Sequence, residues 1–527
     1  MTNGARVRGC DGPRVHRRTL ALALFLIVPS FAFGQPVKGL TAAPQIGRAY
    51  HAIFDARFDD VPGLLAQSCP PAHAAACEVV DALSIWWQIQ IDPLNTSRDA
   101  LFQSRVDAAI GSAEAWTARE PGRAEAWFYL GGAYGVRVQW RVLRRERLAA
   151  ARDGKRIKEA LERALALDPG LQDAYFGIGL YHYYADVAPT AAKMLRWLLF
   201  LPGGDRVKGM QEMLRARNSG QVLRSEADYQ LHVLELWYEK RTDRALELLG
   251  GLRQRHPGNP HFLQLIAEIQ DAYLHEIPDS LRTSRALLDA AQNGRVANPS
   301  MAEAVARLGI ALQLDRLFET DAAIEHLRRV IAARPTAPFG AIAQAQLQLG
   351  LALDRVGSRA EATAAYRAAL AAITPEDPLR IGVRARAGLK AAPNAVDAAA
   401  YRLSIQGWRA LERGAIDEAA QALGESLMLR PADLVTQYRQ ARLLKAQKND
   451  AAAMSLLDTV MSAGAAVPPA IYAAACVDAA RMHEEHDSRA RAIELYQAVG
   501  AVVGADRVTR DAAHDALARL TSPTRAR

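Results

Sequence analysis

The sequence predicts an all-α protein, a right-handed α-solenoid of about eight to ten helix hairpins, and three observations carry that expectation. Windows of about 34 residues repeat one arrangement of small and large side chains. The clearest reads Leu349-Gly350-x-x-Leu353, then Ala362-x-x-x-Tyr366-x-x-Ala369, then Pro375. Pro169, Pro257, Pro335 and Pro431 recur where a second helix would end, because proline offers no amide and disfavours helix in the residue before it. No β-branched run long enough for a buried strand lies between these segments. One hairpin cannot hide its apolar face alone, so neighbours must stack. The chain has 527 residues, 50% of them hydrophobic and 23% charged, which excludes a largely disordered protein and exceeds one ordinary compact core.

The first residues read as an export address. Arg14, Arg17 and Arg18 precede an uncharged stretch whose apolar centre, Leu20 to Val28, is too short to span about 30 Å of hydrocarbon as a helix. Pro29 and Ser30 break it, and Ala32-Phe33-Gly34 places small residues at −3 and −1 of a cleavage site. Residues 1–34 are therefore expected to be a cleaved signal peptide, by ordinary secretion rather than twin-arginine export. Cys10 precedes the apolar segment, which disfavours a lipoprotein anchor. The expected location is periplasmic or secreted, in a bacterium. Five arginines against Asp11 give these residues +4 of the net +8, leaving only +4 for the remainder. That is a weak attraction for any polyanion.

An oxidising compartment changes how the cysteines are read. Cys69 and Cys77 flank Pro70-Pro71, so the chain can double back and bring them within bridging distance, and a Cys69–Cys77 disulfide is expected. His73 alone adds too few ligands for a metal site. Cys476 sits in an alanine-rich run and is expected to be a buried packing residue.

Other windows share the register of the first. Gly407, Ala410, Ala419, Leu423, Ser426 and Pro431 form one; Ala441, Leu444, Ala453, Leu457 and Val460 form the next; Ala492, Tyr496 and Val499 close another. These positions resemble the tetratricopeptide repeat, with a large residue and glycine at its seventh and eighth positions, alanine at twenty and an aromatic at twenty-four. The spacing has its own physical sense. Small residues fall where antiparallel helices approach most closely, while large ones at i, i+3, i+4 fill the adjoining space.

The amino-terminal half carries the pattern with insertions. Trp127-x-x-Leu130-Gly131-x-x-Tyr134 opens a hairpin whose second helix holds Leu161, Ala164 and Pro169, so its helices must be longer than usual. Tyr175, Ile178, Gly179 and His182 open another, and Tyr229, Val233, Leu236, Ala245, Leu249, Leu252 and Pro257 make a regular one. Leu308, Gly309, Leu312, Ala323, Leu327 and Val330 precede Pro335 in one more. Gly177-Ile178-Gly179-Leu180-Tyr181, Lys193-Met194-Leu195 and Gly203-Gly204-Asp205-Arg206 resemble the signature of the tetratricopeptide-repeat-39 and inclusion-body-clearance group. That resemblance implies an adaptor rather than an enzyme.

Two arrays are expected after the leader, residues 35–395 with insertions and residues 396–527, with one continuous solenoid carrying an irregular pair as the alternative. A short basic helix from Leu379 to Ala391 sits at their junction, and a capping helix from Arg507 to Leu520 closes the chain.

First helices of such hairpins usually line the concave face, so the register names the side chains that meet a ligand. It gives Phe128, Phe176, Tyr183, Tyr184, Trp237 and Tyr238 in the first array, and Tyr401, Trp408, Tyr438, Arg442, Lys445 and Arg481 in the second. Flat aromatics and planar arginines suit an extended peptide and its carboxylates. Against this stands plain packing of the aromatics on neighbouring helices. The chaperone-tail clamp of the family, with Lys and Asn in successive repeats, is not reproduced.

The remaining features have bland readings. The apolar stretch 193–201 suits a buried helix, with peripheral membrane contact as the alternative. Eight basic residues between Arg141 and Lys158 suit the solvated face of a long helix, and without an RNA-binding motif nucleic acid is not an expected partner. His483-Glu484-Glu485-His486 lacks H-E-x-x-H spacing, and neither a nucleophile elbow nor a phosphate loop occurs. The expected function is thus a non-enzymatic exported scaffold that binds a protein or peptide in its groove, without metal or cofactor. The alternative is a glycan-processing or hydrolytic enzyme, which requires two converging carboxylates in the groove.

Overall fold

The computed structural model describes residues 38–187, 203–392 and 394–522, and these form one compact unit. The expected signal peptide and the apolar stretch 193–201 lie outside the described residues. Among those described there are 24 α-helices and no strand.

Two short helices, α1 (Ala43–Phe54) and α2 (Val61–Ala66), precede ten helix hairpins. The first five are α3 (Ala74–Ile91) with α4 (Asp99–Arg119), α5 (Ala124–Leu143) with α6 (Arg147–Leu167), α7 (Ala174–Val187) with α8 (Arg206–Ser219), α9 (Arg224–Trp237) with α10 (Thr242–Arg255), and α11 (Pro260–Ala272) with α12 (Ile277–Gln292). Next come α13 (Pro299–Arg316) with α14 (Thr320–Ala333) and α15 (Ala341–Arg355) with α16 (Arg359–Ala372). The single helix α17 (Ile381–Lys390) follows. The last hairpins are α18 (Ala395–Glu412) with α19 (Ile416–Leu429), α20 (Leu434–Ala446) with α21 (Asp450–Ser462), and α22 (Pro469–Glu485) with α23 (Arg489–Gly500), closed by α24 (Arg507–Thr521).

Local chemistry sets many of the boundaries. Asp205, Asn259, Asp433, Asn449 and Asp506 each accept a hydrogen bond from an amide in the first turn of the helix they precede, satisfying donors that have no intrahelical partner. Asp173 does more: its carboxylate accepts from the amides of Gln221, Val222 and Leu223, at 2.7, 3.0 and 2.9 Å, and pins the entry to α9. Arg359 closes α17 from outside, donating to the carbonyls of Gly388, Leu389 and Ala391.

Gly131, Gly350 and Gly407 each meet a large side chain on the second helix of their own hairpin, Leu161, Tyr366 and Leu423. A methyl group built on Gly350 would lie 2.5 Å from Tyr366 Cε1, and one on Gly407 would lie 2.6 Å from Leu423 Cγ. The two helices therefore touch backbone against side chain, which only glycine permits. The long second hairpin obeys the same rule with 20-residue α5 and 21-residue α6. First helices also touch the first helices of neighbouring hairpins: α5 meets α7, α11 meets α13, α13 meets α15, α18 meets α20 and α20 meets α22. That is how a stack propagates.

The stack is wound tightly enough to meet itself. Trp87 of α3 packs on Phe54, Tyr229 and Phe262, with ring centroids 4.4, 4.8 and 6.4 Å away. The Asn259 side chain donates to the carbonyl of Phe54, the Gly258 amide to Asp55, and the Phe339 amide to Asp92. Arg510 of the last helix reaches Glu276 at 2.8 Å. One apolar core consequently runs through the first five hairpins, with separate cores farther along.

The basic stretch after Arg141 is not one helix face, as its sequence suggested. The chain turns at Arg144 to Glu146 between α5 and α6. Asp153, buried at 1% exposure, accepts bidentate hydrogen bonds from Arg137 and a further one from Arg141. Arg144 is held by Asp99. Much of the apparent positive stripe is internally neutralised.

Candidate binding surface

The concave-face residues named by register separate into two groups. Phe128 is buried in the amino-terminal core, edge-on to Tyr129, and Phe176 packs partly buried against the same core. Tyr183 is fully buried and donates to Glu239 at 2.5 Å. Burial and that carboxylate push its phenol well above the ordinary tyrosine range. Tyr184 and Tyr238 complete an edge-to-face trio, 5.9 and 5.7 Å apart, with Trp237 the most exposed neighbour at 54%. Tyr183 and Tyr184 thus pack among α7, α8 and α9, while Trp237 and Tyr238 remain exposed.

The second group forms a continuous strip on α18, α20 and α22. Trp408 is half-buried, and the guanidinium carbons of Arg439 and Arg442 each lie 5.7 Å from its ring centroid. Arg442 donates to the Tyr438 hydroxyl at 3.2 Å, and that hydroxyl donates to Asp478 at 3.0 Å. Arg442 and Arg481 both pair with Asp478, while Lys445 pairs with Asp450 and Glu485. Tyr401 shares a hydrogen bond of 2.7 Å with Thr320 and lies under Arg355.

Two members of the strip escaped the register. Arg439 is only 4% exposed, donates to Ser404 Oγ at 2.8 Å, and lies 4.6 Å from the centroid of Phe318 on its other side. No carboxylate comes within ion-pair distance of it among the described residues. Burial pulls its guanidinium down to about 10, an expensive position for a cation with one neutral hydrogen bond. Phe318 stands in the α13–α14 loop with φ of 65°. Arg439 faces the preceding hairpin, a direction the count of concave positions does not include.

Cys69 and Cys77 are bridged, with Cα atoms 6.4 Å apart, and Cys476 is a buried free thiol whose ionisation burial disfavours. His483 and His486 straddle the end of α22, and His486 lies 3.7 Å from Asp450. Among the described residues no group of three His, Cys, Asp or Glu side chains is placed to hold a metal, and no helix is long and apolar enough to cross a membrane.

No protein-family model matches the chain, and neither does any curated protein. Solved structures do. The chain is similar to tetratricopeptide-repeat proteins. A tetratricopeptide repeat protein from Parabacteroides merdae aligns at 16% identity over 56% of this chain and 98% of its own, with a TM-score of 0.25. Rap protein complexed with competence and sporulation factor aligns at 11% identity over 90% of this chain and 99% of its own, with a TM-score of 0.33. Such scores carry no ligand or partner across to this chain; the repeat likeness rests on its own glycine-to-large-residue contacts and stacked first helices.

Proposed function

We propose that the protein is an exported, non-catalytic scaffold that binds an extended peptide or protein segment along the first helices of its carboxy-terminal hairpins. The observation that carries this reading is Trp408, half-buried between two arginines, one of which, Arg439, has no ion-pair partner among the described residues. A flat ring beside the exposed guanidinium of Arg442 offers packing to a side chain and a hydrogen-bond donor to a carboxylate. The acids of the strip support binding over catalysis, since Asp478 and Glu485 are each tied to basic neighbours rather than set against each other as acid and base. The Cys69–Cys77 bridge supports export, because such bonds persist in oxidising compartments. The glycine-rich α7–α8 packing, with Gly179 against the carbonyl of Gly209, is in keeping with an adaptor of the tetratricopeptide-repeat-39 kind.

The test is photo-crosslinking in the native envelope from Trp408 and Trp237, with the label moved to Gln421 on a second helix as the control. Capture from Trp408 that disappears with Arg442→Glu and is absent at Gln421 supports the strip. Equal capture from both helices defeats it.

A further inference from the structure

Where the coil meets itself there is a second, unrelated opening. The end of α3 and the segment after it, the turn into α13 and the loop before α15 enclose a cleft of about 370 Å³. Its floor is apolar: Phe58, Ile89, Ile91 and Met301 line it, and Ile91 and Met301 belong to a small buried cluster separate from the main cores. Its rim is polar, with Asn95, Arg98, Asn298 and Thr336.

The lining carries one carboxylate, Asp92, and one guanidinium, Arg98, and they differ in how they are engaged. Asp92 is already engaged, both carboxylate oxygens accepting from the Phe339 amide at 3.0 and 3.1 Å. Asn95 is engaged locally, accepting from the Ser97 amide and donating to Asp92. Arg98 is exposed and makes no ion pair or side-chain hydrogen bond among the described residues. An oily floor with one unanswered guanidinium at its mouth selects an apolar body carrying a negative head. The volume equals about a dozen waters at about 30 Å³ each, enough for a short chain or single ring but too small for a folded partner.

We propose that this cleft binds a small amphiphilic carboxylate, a short acyl or aryl acid, with its apolar part on Ile91 and Met301 and its carboxylate on Arg98. The ligand touches three segments far apart in sequence, so its binding holds successive turns of the coil together and raises the melting temperature by mass action. This site is independent of the strip around Trp408.

The experiment uses the full chain with octanoate and octan-1-ol, which share an alkyl body and differ in the head, followed by calorimetry and ligand-observed magnetic resonance. Octanoate binds at least fivefold more tightly than octan-1-ol, and Arg98→Gln removes that preference. Met301→Trp, which fills the floor, weakens both probes at least tenfold; Ala337→Leu on the facing wall does the same where Met301→Trp disturbs folding. The proposal is overturned by the absence of octanoate binding, by equal affinity for the two probes, by a preference that survives Arg98→Gln, or by binding indifferent to both filling variants.

Discussion

Arg439 lies over Trp408, its guanidinium carbon 5.7 Å from the ring centroid, and among the described residues the one side chain that accepts a hydrogen bond from it is Ser404, through its hydroxyl. A cation buried this way is unfavourable for the free protein and useful to a ligand that brings an anion. Arg439→Met should therefore leave the melting temperature unchanged or raise stability by about 1 kcal/mol, while crosslinked capture at Trp408 falls at least tenfold. Strong destabilisation in a denaturant titration would instead make Arg439 a purely structural residue.

Hairpin closure can be tested at one atom. Gly350→Ala forces a methyl group against Tyr366, and overpacking of this kind costs about 1–3 kcal/mol. Gly424, in the middle of α19, has nothing within 4 Å of its would-be methyl. Gly424→Ala should stabilise by about 0.5–1 kcal/mol through helix propensity alone. Urea midpoints of the two variants should move in opposite directions.

The seam between α3 and α9 should respond to pH. Glu226 is buried, hydrogen-bonded to Trp87 Nε1 at 3.3 Å and to Gln230, and burial pushes its carboxyl up to about 7. A carboxyl raised in the fold contributes stability that is complete below its unfolded value near 4.5 and is lost as pH climbs through 7. His232 and His261, held by burial at about 3 and about 4, run the other way: their contribution is present above 6.5 and declines as pH falls. The parent protein should thus show little net slope near neutrality. Glu226→Gln isolates the carboxyl, so its stability advantage over the parent should be near zero at pH 4.5 and grow to about 3 kcal/mol at pH 8. A constant difference across that range would remove Glu226 from the account.

Reducing the Cys69–Cys77 bridge should loosen the link between α2 and α3. Opening a loop of sequence separation 8 returns about 2.5 kcal/mol of chain entropy to the unfolded segment. Amide exchange after reduction should rise in α2 and the first turn of α3 and stay level in α20 and α21. Uniform protection would show that packing against the amino-terminal core already fixes that turn.

How far the sequence reached depended on whether information was local. Leu349-Gly350 and Tyr366 lie within one hairpin, and their spacing alone foretold the contact they make. Trp87 and Glu226 lie 139 positions apart, and nothing in either segment marks the other as its partner. For that reason the register named Phe128 as a ligand-facing side chain, whereas Phe128 is buried in the amino-terminal core. The strip around Trp408 was legible because α18, α20 and α22 are consecutive regular repeats; Arg439 was not, because its role depends on Phe318 from a loop three hairpins earlier.

Contacts such as Asn259 with Phe54 and Arg510 with Glu276 change what kind of folding problem this chain is. An open row of repeats melts like a one-dimensional lattice, fraying from either end and tolerating the loss of a terminal unit. Here removing the first hairpin strips partners from the fourth and fifth, and removing the last helix strips one from α12. Deletions at tidy repeat boundaries would then cost far more than their own length, and the first and last of the described helices, rather than the middle ones, become the places least open to removal.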